Sequence, residues 1–253
     1  MKLIYVNYSD LNYRGHQNFL LEHVIENKIY DTVCPYTREW LGTTEFYQKN
    51  KSILDKDRLA GYALWKPYII SETFKNINDG DIVVYMDCGD YPKKGIGKIV
   101  SKYMTDTDQY FIEGNHTSVN QWWTKRDCFY YMDCDEEKYW SAIQLEDGFI
   151  ALRKTQFNID LVEEWLTYCS DERIITDILN TCGLENLDGF KDHRHDQSIL
   201  TNLKIKYNLL SEGSDISSIY GVRKYIDWNV FHHSNGEEYG NGSYQWDESG
   251  CIV

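Results

Sequence analysis

The sequence predicts an α/β fold in which helices cover both faces of a Rossmann-like central sheet. Two features carry that reading. Ile82-Val83-Val84-Tyr85 is a continuous apolar run bounded by Gly80 and Gly89, the pattern of a strand buried on both faces. Strand and helix patterns also alternate from Met1 to about residue 113, as in a parallel, doubly wound half. No linker-like composition follows, so one domain over residues 1–253 is expected.

In chain order, Leu3-Ile4-Tyr5-Val6 is the first strand, and Asn7-Tyr8-Ser9-Asp10 is the loop at its carboxyl end. A helix is expected over Phe19–Ile25 and a short strand at Thr32-Val33-Cys34. The spacing of Leu59, Tyr62, Ala63, Pro67 and Ile70 predicts a helix across about 56–74, or two helices bent at Pro67. The central strand is followed by a helix over 96–104 and a strand over 110–112. A strand at 145–152 comes next, then a helix over 159–169 with Leu161, Val162, Trp165 and Leu166 inward. A last helix over 196–207 buries Ile199, Leu200 and Leu203, and the final thirty residues are expected to wrap back over the sheet as a tail.

Composition narrows the function classes. Hydrophobic residues make up 42% of the chain and aromatics 15%, enough for a large core. The formal net charge of -14 argues against nucleic acid and anionic membranes as partners. A phosphate-bearing substrate would need a metal and a few placed cations. No apolar run approaches the length of a signal peptide or a membrane-spanning helix. Seven cysteines without a CxxC pair are expected to be reduced thiols, which points to the cytoplasm.

Four groups of residues could carry chemistry. Ligands of open α/β sheets bind outside the carboxyl ends of the strands, where Asp87 and Asp90 fall, with Gly89 allowing a tight turn between them. Such a pair is a hard-oxygen site for Mg²⁺ or Mn²⁺. Aspartate after a strand is also ordinary turn chemistry, and the buried strand in front favours function. Arg58, Tyr62, Trp65 and Lys66 would share a face of a helix able to hold a diphosphate and stack a sugar; the commoner outcome is core aromatics with solvated charges. His193-Arg194-His195-Asp196-Gln197 begins a helix. An N-cap explains one aspartate there, not the whole cluster. Phe231-His232-His233 is either an exposed tail or one that closes an imidazole onto a metal–diphosphate.

In this order and spacing, Arg58…Gly61-Tyr62…Trp65-Lys66-Pro67, Asp81-Ile82-Val83-Val84-Tyr85-Met86-Asp87-Cys88-Gly89, Gln144-Leu145-Glu146-Asp147-Gly148-Phe149-Ile150 and His193-Arg194-His195-Asp196-Gln197 resemble nucleotide-sugar glycosyltransferases of the GT-A fold. These are the kind found in bacterial polysaccharide clusters and large DNA viruses, and the resemblance covers about residues 55–205. It implies a mixed central sheet, a nucleotide-sugar-binding half over about 1–113, and an acceptor-side half with a C-terminal tail over about 114–253. It also implies metal-dependent transfer from a nucleoside-diphosphate sugar, a UDP-sugar first among donors, to a glycan or other hydroxyl acceptor. If the chain is viral, the cytoplasm is the host's.

Carried over position by position, Asp87 sits where the first residue of the Asp-x-Asp motif lies. Gly89 departs from that motif, so either Asp90 substitutes or the diphosphate completes the metal's shell. His233 is similar in placement to a late histidine that binds the same metal in retaining members. Asp196-Gln197 looks like the pair at the mouth of the donor site, and Gln144 and Glu146 match an acceptor-side segment. The implied set is Asp196, Gln197 and Glu146 for catalysis; Tyr8, Arg58, Tyr62, Trp65, Lys66, Asp87 and Gly89 for the donor; and Asp87, Asp90 and His233 for Mn²⁺ or Mg²⁺.

An Asp196-Gln197 pair opposite the acceptor would give retention, the expected outcome, whereas Glu146 or Asp147 as general base would give inversion. Tyr62, Trp122, Trp123 and Trp140 suit sugar faces. Two rival readings differ in class. A nucleotidyltransferase would show a glycine- and basic-rich loop after the first strand, and Asn7-Tyr8-Ser9-Asp10 is not one. A non-catalytic carbohydrate- or nucleotide-sugar-binding module on the same fold stays open because of Gly89.

Overall fold

In the computed structural model, residues 1–92, 100, 111–112, 118–209 and 220–222 are described. The main sheet contains β1 (Leu3–Ser9), β2 (Thr32–Thr37), β3 (Ile82–Met86), β5 (Phe111–Ile112) and β6 (Phe149–Arg153), in the order β2-β1-β3-β6-β5. β1 runs parallel to β2 and β3, whereas β6 is antiparallel to both β3 and β5. The sheet is therefore mixed, with β3 at its centre.

Alternation along the strands sends Ile4, Val6, Val83, Tyr85, Ile150 and Leu152 to one face. Tyr5, Ile82, Val84, Met86, Phe149 and Ala151 go to the other. The first face is covered by α2 (Trp65–Asn76), α3 (Gln156–Cys169) and α4 (His195–Lys206), through Ile69, Ile70, Trp165, Ile199 and Leu203. The second is covered by α1 (Arg14–Glu26), through Leu21 and Val24. All five residues of β3 are buried, as its unbroken apolar run requires.

The segment before α2 departs from the expected helix. Leu59, Ala60, Gly61, Tyr62 and Ala63 all take positive φ, between 49° and 96°. They form a left-handed turn closed by the Tyr62 N–H to the Arg58 carbonyl at 2.7 Å and the Ala63 N–H to the Leu59 carbonyl at 3.2 Å. Gly61 is required there, because a Cβ would lie 2.6 Å from Leu54 Cα. The break precedes Trp65, and Pro67 sits in the first turn of α2, where it lacks no needed N–H. Arg58, Tyr62, Trp65 and Lys66 therefore do not share a helix face.

Other expectations shift at their edges. The strand expected over 145–152 is β6 at Phe149–Arg153, and the helix expected from 159 begins at Gln156, capped by Thr155. The helix expected over 96–104 lies, except for Val100, outside the described residues, as do the tail beyond 222 and His233. β4 (Asp90–Pro92) pairs antiparallel with β7 (Tyr220–Val222), so the chain beyond α4 returns to the end of β3. Cys88, Cys128, Cys134, Cys169 and Cys182 are free thiols, but Cys34 is disulfide-bonded, which corrects the expectation of reduced thiols at that position.

Candidate active site

A cleft of about 460 Å³ opens at the carboxyl ends of β1 and β3. Tyr8 enters from β1, and Asp87, Cys88 and Gly89 from the turn after β3. Because β6 is antiparallel, with Phe149 opposite Met86, the residues before β6 arrive at this same end. The Asp87 N–H donates to the Gly148 carbonyl at 2.8 Å, which fixes Glu146 and Asp147 beside Asp87. Arg194, Asp196 and Gln197 come from the start of α4. The rings of Tyr8 and Trp65 stack with centroids 4.0 Å apart.

Lys66 joins these elements. Its Nζ lies 2.9 Å from Asp147 Oδ2, 2.9 Å from Asp196 Oδ2 and 3.9 Å from Asp87 Oδ1, and donates to the Asp147 carbonyl at 3.3 Å. The side chains of Lys66, Asp147 and Asp196 are 4%, 7% and 3% exposed, so the ammonium is held almost without water. Burial opposes its charge, yet the three carboxylates keep its pKa well above the usual lysine range. Asp196 is pushed strongly up, first by burial and then by the charge of Asp147, against the pull of Lys66. One ammonium cannot balance every carboxylate around it.

Beside this hub, carboxylates gather around Gly148. A Cβ there would lie 3.0 Å from Asp90 Oδ2, 3.2 Å from Glu146 Oε1 and 3.4 Å from Asp87 Oδ2. The Tyr85 hydroxyl donates to Asp87 Oδ1, leaving Oδ2 toward this cradle. Burial raises the pKa of Asp87; Lys66 pulls it down and Asp147 pushes it up, with a net rise that a cation at the cradle would reverse. Among the described residues, no group of three or more His, Cys, Asp or Glu side chains is set to hold a metal by itself. Mg²⁺ commonly binds through one or two carboxylates plus substrate phosphates, so Asp87 and Asp90, with Glu146 adjacent, fit that partial shell.

Gln197 is oriented from behind. Its Nε2 donates to Gln144 Oε1 at 3.0 Å, and Gln144 Nε2 donates to Ser198 Oγ at 3.2 Å. Gln144 is 1% exposed, so it positions Gln197 from the interior and does not line the cleft.

Of the residues singled out from sequence, Tyr8, Trp65, Lys66, Asp87, Gly89, Glu146, Asp196 and Gln197 line this one cleft. Asp90 stands behind it, buried. Arg58 and Tyr62 are not among the lining residues: Arg58 is tied to Asp192 at 2.6 Å and Asp177 at 3.5 Å, and the Tyr62 ring packs on His195 at 4.8 Å. His193 and His195 are buried and donate to or accept from backbone; His193 Nε2 meets the Ile174 carbonyl at 2.8 Å and His195 Nδ1 the Ile175 carbonyl at 2.7 Å. Burial lowers the pKa of both, that of His195 to about 4, so these neutral rings fix the start of α4. Sequence reasoning missed Gly148, whose place between Asp147 and the start of an apolar run was the available clue, and Asp10 and Asp57, which join the lining.

No protein-family model matches the chain, and no curated protein matches its sequence. Its structure is similar to those of solved glycosyltransferases. One, involved in glycosylation of the major capsid of PBCV-1, aligns over 65% of each chain at 11% identity and a TM-score of 0.38, just under two thirds of that protein's length. The galactosyltransferase LgtC, solved with donor and acceptor sugar analogues, aligns over 79% of this chain and 70% of its own at 13% identity, with a TM-score of 0.38. Mouse xyloside xylosyltransferase 1 aligns over 83% of both chains at 9% identity and a TM-score of 0.42. At such values, substrate and chemistry have to come from the residues of this chain.

Proposed function

We propose that the protein is a metal-dependent glycosyltransferase that moves a hexosyl unit from a nucleoside-diphosphate sugar, a UDP-sugar first among the candidates, to a hydroxyl of a glycan acceptor, with retention of anomeric configuration. The charge of the cleft carries this reading. Six carboxylates (Asp10, Asp57, Asp87, Glu146, Asp147, Asp196) line it against two cations, Lys66 and Arg194, and Lys66 is already engaged by three of them. A bare diphosphate is repelled by such a cleft, whereas a diphosphate carrying a divalent cation is matched by the Asp87–Asp90–Glu146 cradle.

In the transfer, the bond from the anomeric carbon to the diphosphate breaks and its electron pair stays on the phosphate oxygen. The acceptor oxygen bonds to that carbon, and its proton passes to the departing phosphate. A cation held by Asp87 and Asp90 supplies electrostatic stabilisation of the leaving diphosphate. Lys66 keeps Asp87 and Asp147 in place. Gln197, its Nε2 held by Gln144, offers a carboxamide oxygen to the charge that grows on the sugar ring.

Retention is supported by what the carboxylates are doing. Asp147 and Asp196 are engaged by Lys66, and Glu146 is drawn to the cradle, so no one of these three stands apart as a base for the acceptor. Among the described residues no helix is long and apolar enough to cross a membrane; a cytoplasmic location belongs to the same proposal. The departure at Gly89 favours a second reading, a nucleotide-sugar-binding module without turnover.

A thermal-shift screen of UDP-, GDP-, CMP- and dTDP-sugars with and without Mn²⁺ tests donor binding, since a ligand at 100 times its Kd stabilises by about 2.7 kcal/mol. A shift confined to one base and dependent on Mn²⁺ is expected. No shift with any nucleotide would remove the transferase reading.

A further inference from the structure

We propose that the ridge formed by Trp122, Trp123, Lys191 and Arg194 is an acceptor subsite for an anionic sugar, one that carries a carboxylate or a phosphate; this rests on the glycosyl transfer proposed above. The Arg194 guanidinium lies 4.4 Å from the centre of the Trp123 ring. The Lys191 ammonium lies 4.7 Å from that of Trp122 and 5.4 Å from that of Trp123. The two cations thus share the Trp123 ring, and Arg194 also lines the cleft.

The backbone builds this ridge. The Lys191 N–H donates to the Trp122 carbonyl at 2.8 Å and the Arg194 N–H to the Trp123 carbonyl at 3.0 Å. Gly189 takes φ +82°, and a Cβ there would lie 2.8 Å from Trp122 Nε1, so this strap can press on the indole only with glycine at that position. The Trp123 carbonyl also accepts from Ser198 Oγ at 2.7 Å, which fastens the ridge to the start of α4, next to Gln197.

Charge then names the ligand class. In a chain of net charge -14, arginines commonly find carboxylates: Arg14, Arg38, Arg58, Arg126 and Arg173 each pair with one. Arg194 and Lys191 are exposed, yet among the described residues neither has a carboxylate within ion-pair distance. A guanidinium stacked on an indole keeps its in-plane N–H groups turned outward, in the fork that takes a carboxylate or phosphate through two hydrogen bonds. The half-buried indoles beside it suit a pyranose face. Elsewhere the cleft is acidic and turns such a sugar away, which makes this ridge the place where it is admitted.

Calorimetric titration without nucleotide tests the subsite with two anionic probes and their neutral counterparts: p-nitrophenyl β-D-glucuronide against p-nitrophenyl β-D-glucoside, and glucose 6-phosphate against glucose. A charge-assisted hydrogen bond predicts that at least one anion binds about tenfold tighter than its neutral partner, a preference that shrinks in high salt. Arg194→Gln and Lys191→Ala should each remove most of it; Lys191, outside the cleft lining, serves where Arg194→Gln fails to fold. Preference for the glucuronide names a uronate and preference for the phosphate names a phosphorylated sugar; either supports the subsite. Equal binding of charged and neutral sugars, or a preference surviving in both variants, overturns it. The Mn²⁺-dependent nucleotide shift is recorded on the same protein. Its absence beside an intact anion preference removes the transferase reading alone, and its presence without that preference removes the subsite alone.

Discussion

Replacing Lys66 by methionine leaves Asp147 and Asp196 without the ammonium that each meets at 2.9 Å. All three side chains are at most 7% exposed, so water cannot take its place. Removing one partner of a buried ion pair costs roughly 3–5 kcal/mol. In a protein of this size, each kcal/mol moves Tm by about 2–4 °C, and the variant should melt roughly 6–20 °C lower at pH 7.

The pH dependence has a definite sign. Lys66 lowers the pKa of both Asp87 and Asp196, each raised by burial; without it both rise further, and the folded variant takes up protons that the folded wild type does not hold. A raised folded-state pKa means that the folded protein holds a proton which the unfolded chain has lost. The associated stability is present below about pH 3.9 and disappears as pH rises through the folded value. The deficit of Lys66→Met should therefore narrow as pH falls from 7 to 5, and Asp196→Asn in the same chain should recover part of it at pH 7. Thermal melts at pH 7, 6 and 5 measure this. A variant as stable as the wild type, or a deficit unchanged between pH 7 and 5, refutes the charge balance described for Lys66.

Gly148→Ala places a methyl group 3.0 Å from Asp90 Oδ2; melts should find the fold within about 1 kcal/mol of wild type, and the Mn²⁺-dependent nucleotide shift should be lost. Tyr85→Phe removes the hydroxyl that donates to Asp87, and Mn²⁺ titration in the presence of the nucleotide should show affinity roughly 10–100-fold weaker. Gly61→Ala should cost at least about 2 kcal/mol in urea unfolding, since the left-handed region disfavours a Cβ and this one meets the Leu54 backbone at 2.6 Å.

The central strand was legible because burial on both faces leaves an unbroken apolar run, and its position placed Asp87 at the ligand end of the sheet. Lys66, Glu146, Asp196 and Gln197 also reach the cleft, although far apart in sequence. Arg58 and Tyr62 do not, for a reason periodicity cannot see: counting residues on a helix face assumes a right-handed turn. Leu59–Ala63 wind the other way, and only Gly61 among them is a glycine. The direction of β6 was equally silent. An antiparallel strand presents its start to the ligand end of the sheet, which brings Glu146, Asp147 and Gly148 beside Asp87. Asp196, which the resemblance places among the residues that would meet charge on the sugar, lines the cleft at 3% exposure and in contact with Lys66, a partner that its sequence neighbours do not announce.

Turnover addresses the central claim most directly. Nucleotide release from UDP-, GDP-, CMP- and dTDP-sugars should be followed in Mn²⁺ and in chelator, for wild type and for Asp87→Asn verified as folded by circular dichroism. Release from one donor class that stops in chelator and in Asp87→Asn is the expected result. Release indifferent to both, or none from any donor, would contradict a metal-dependent transferase centred on Asp87.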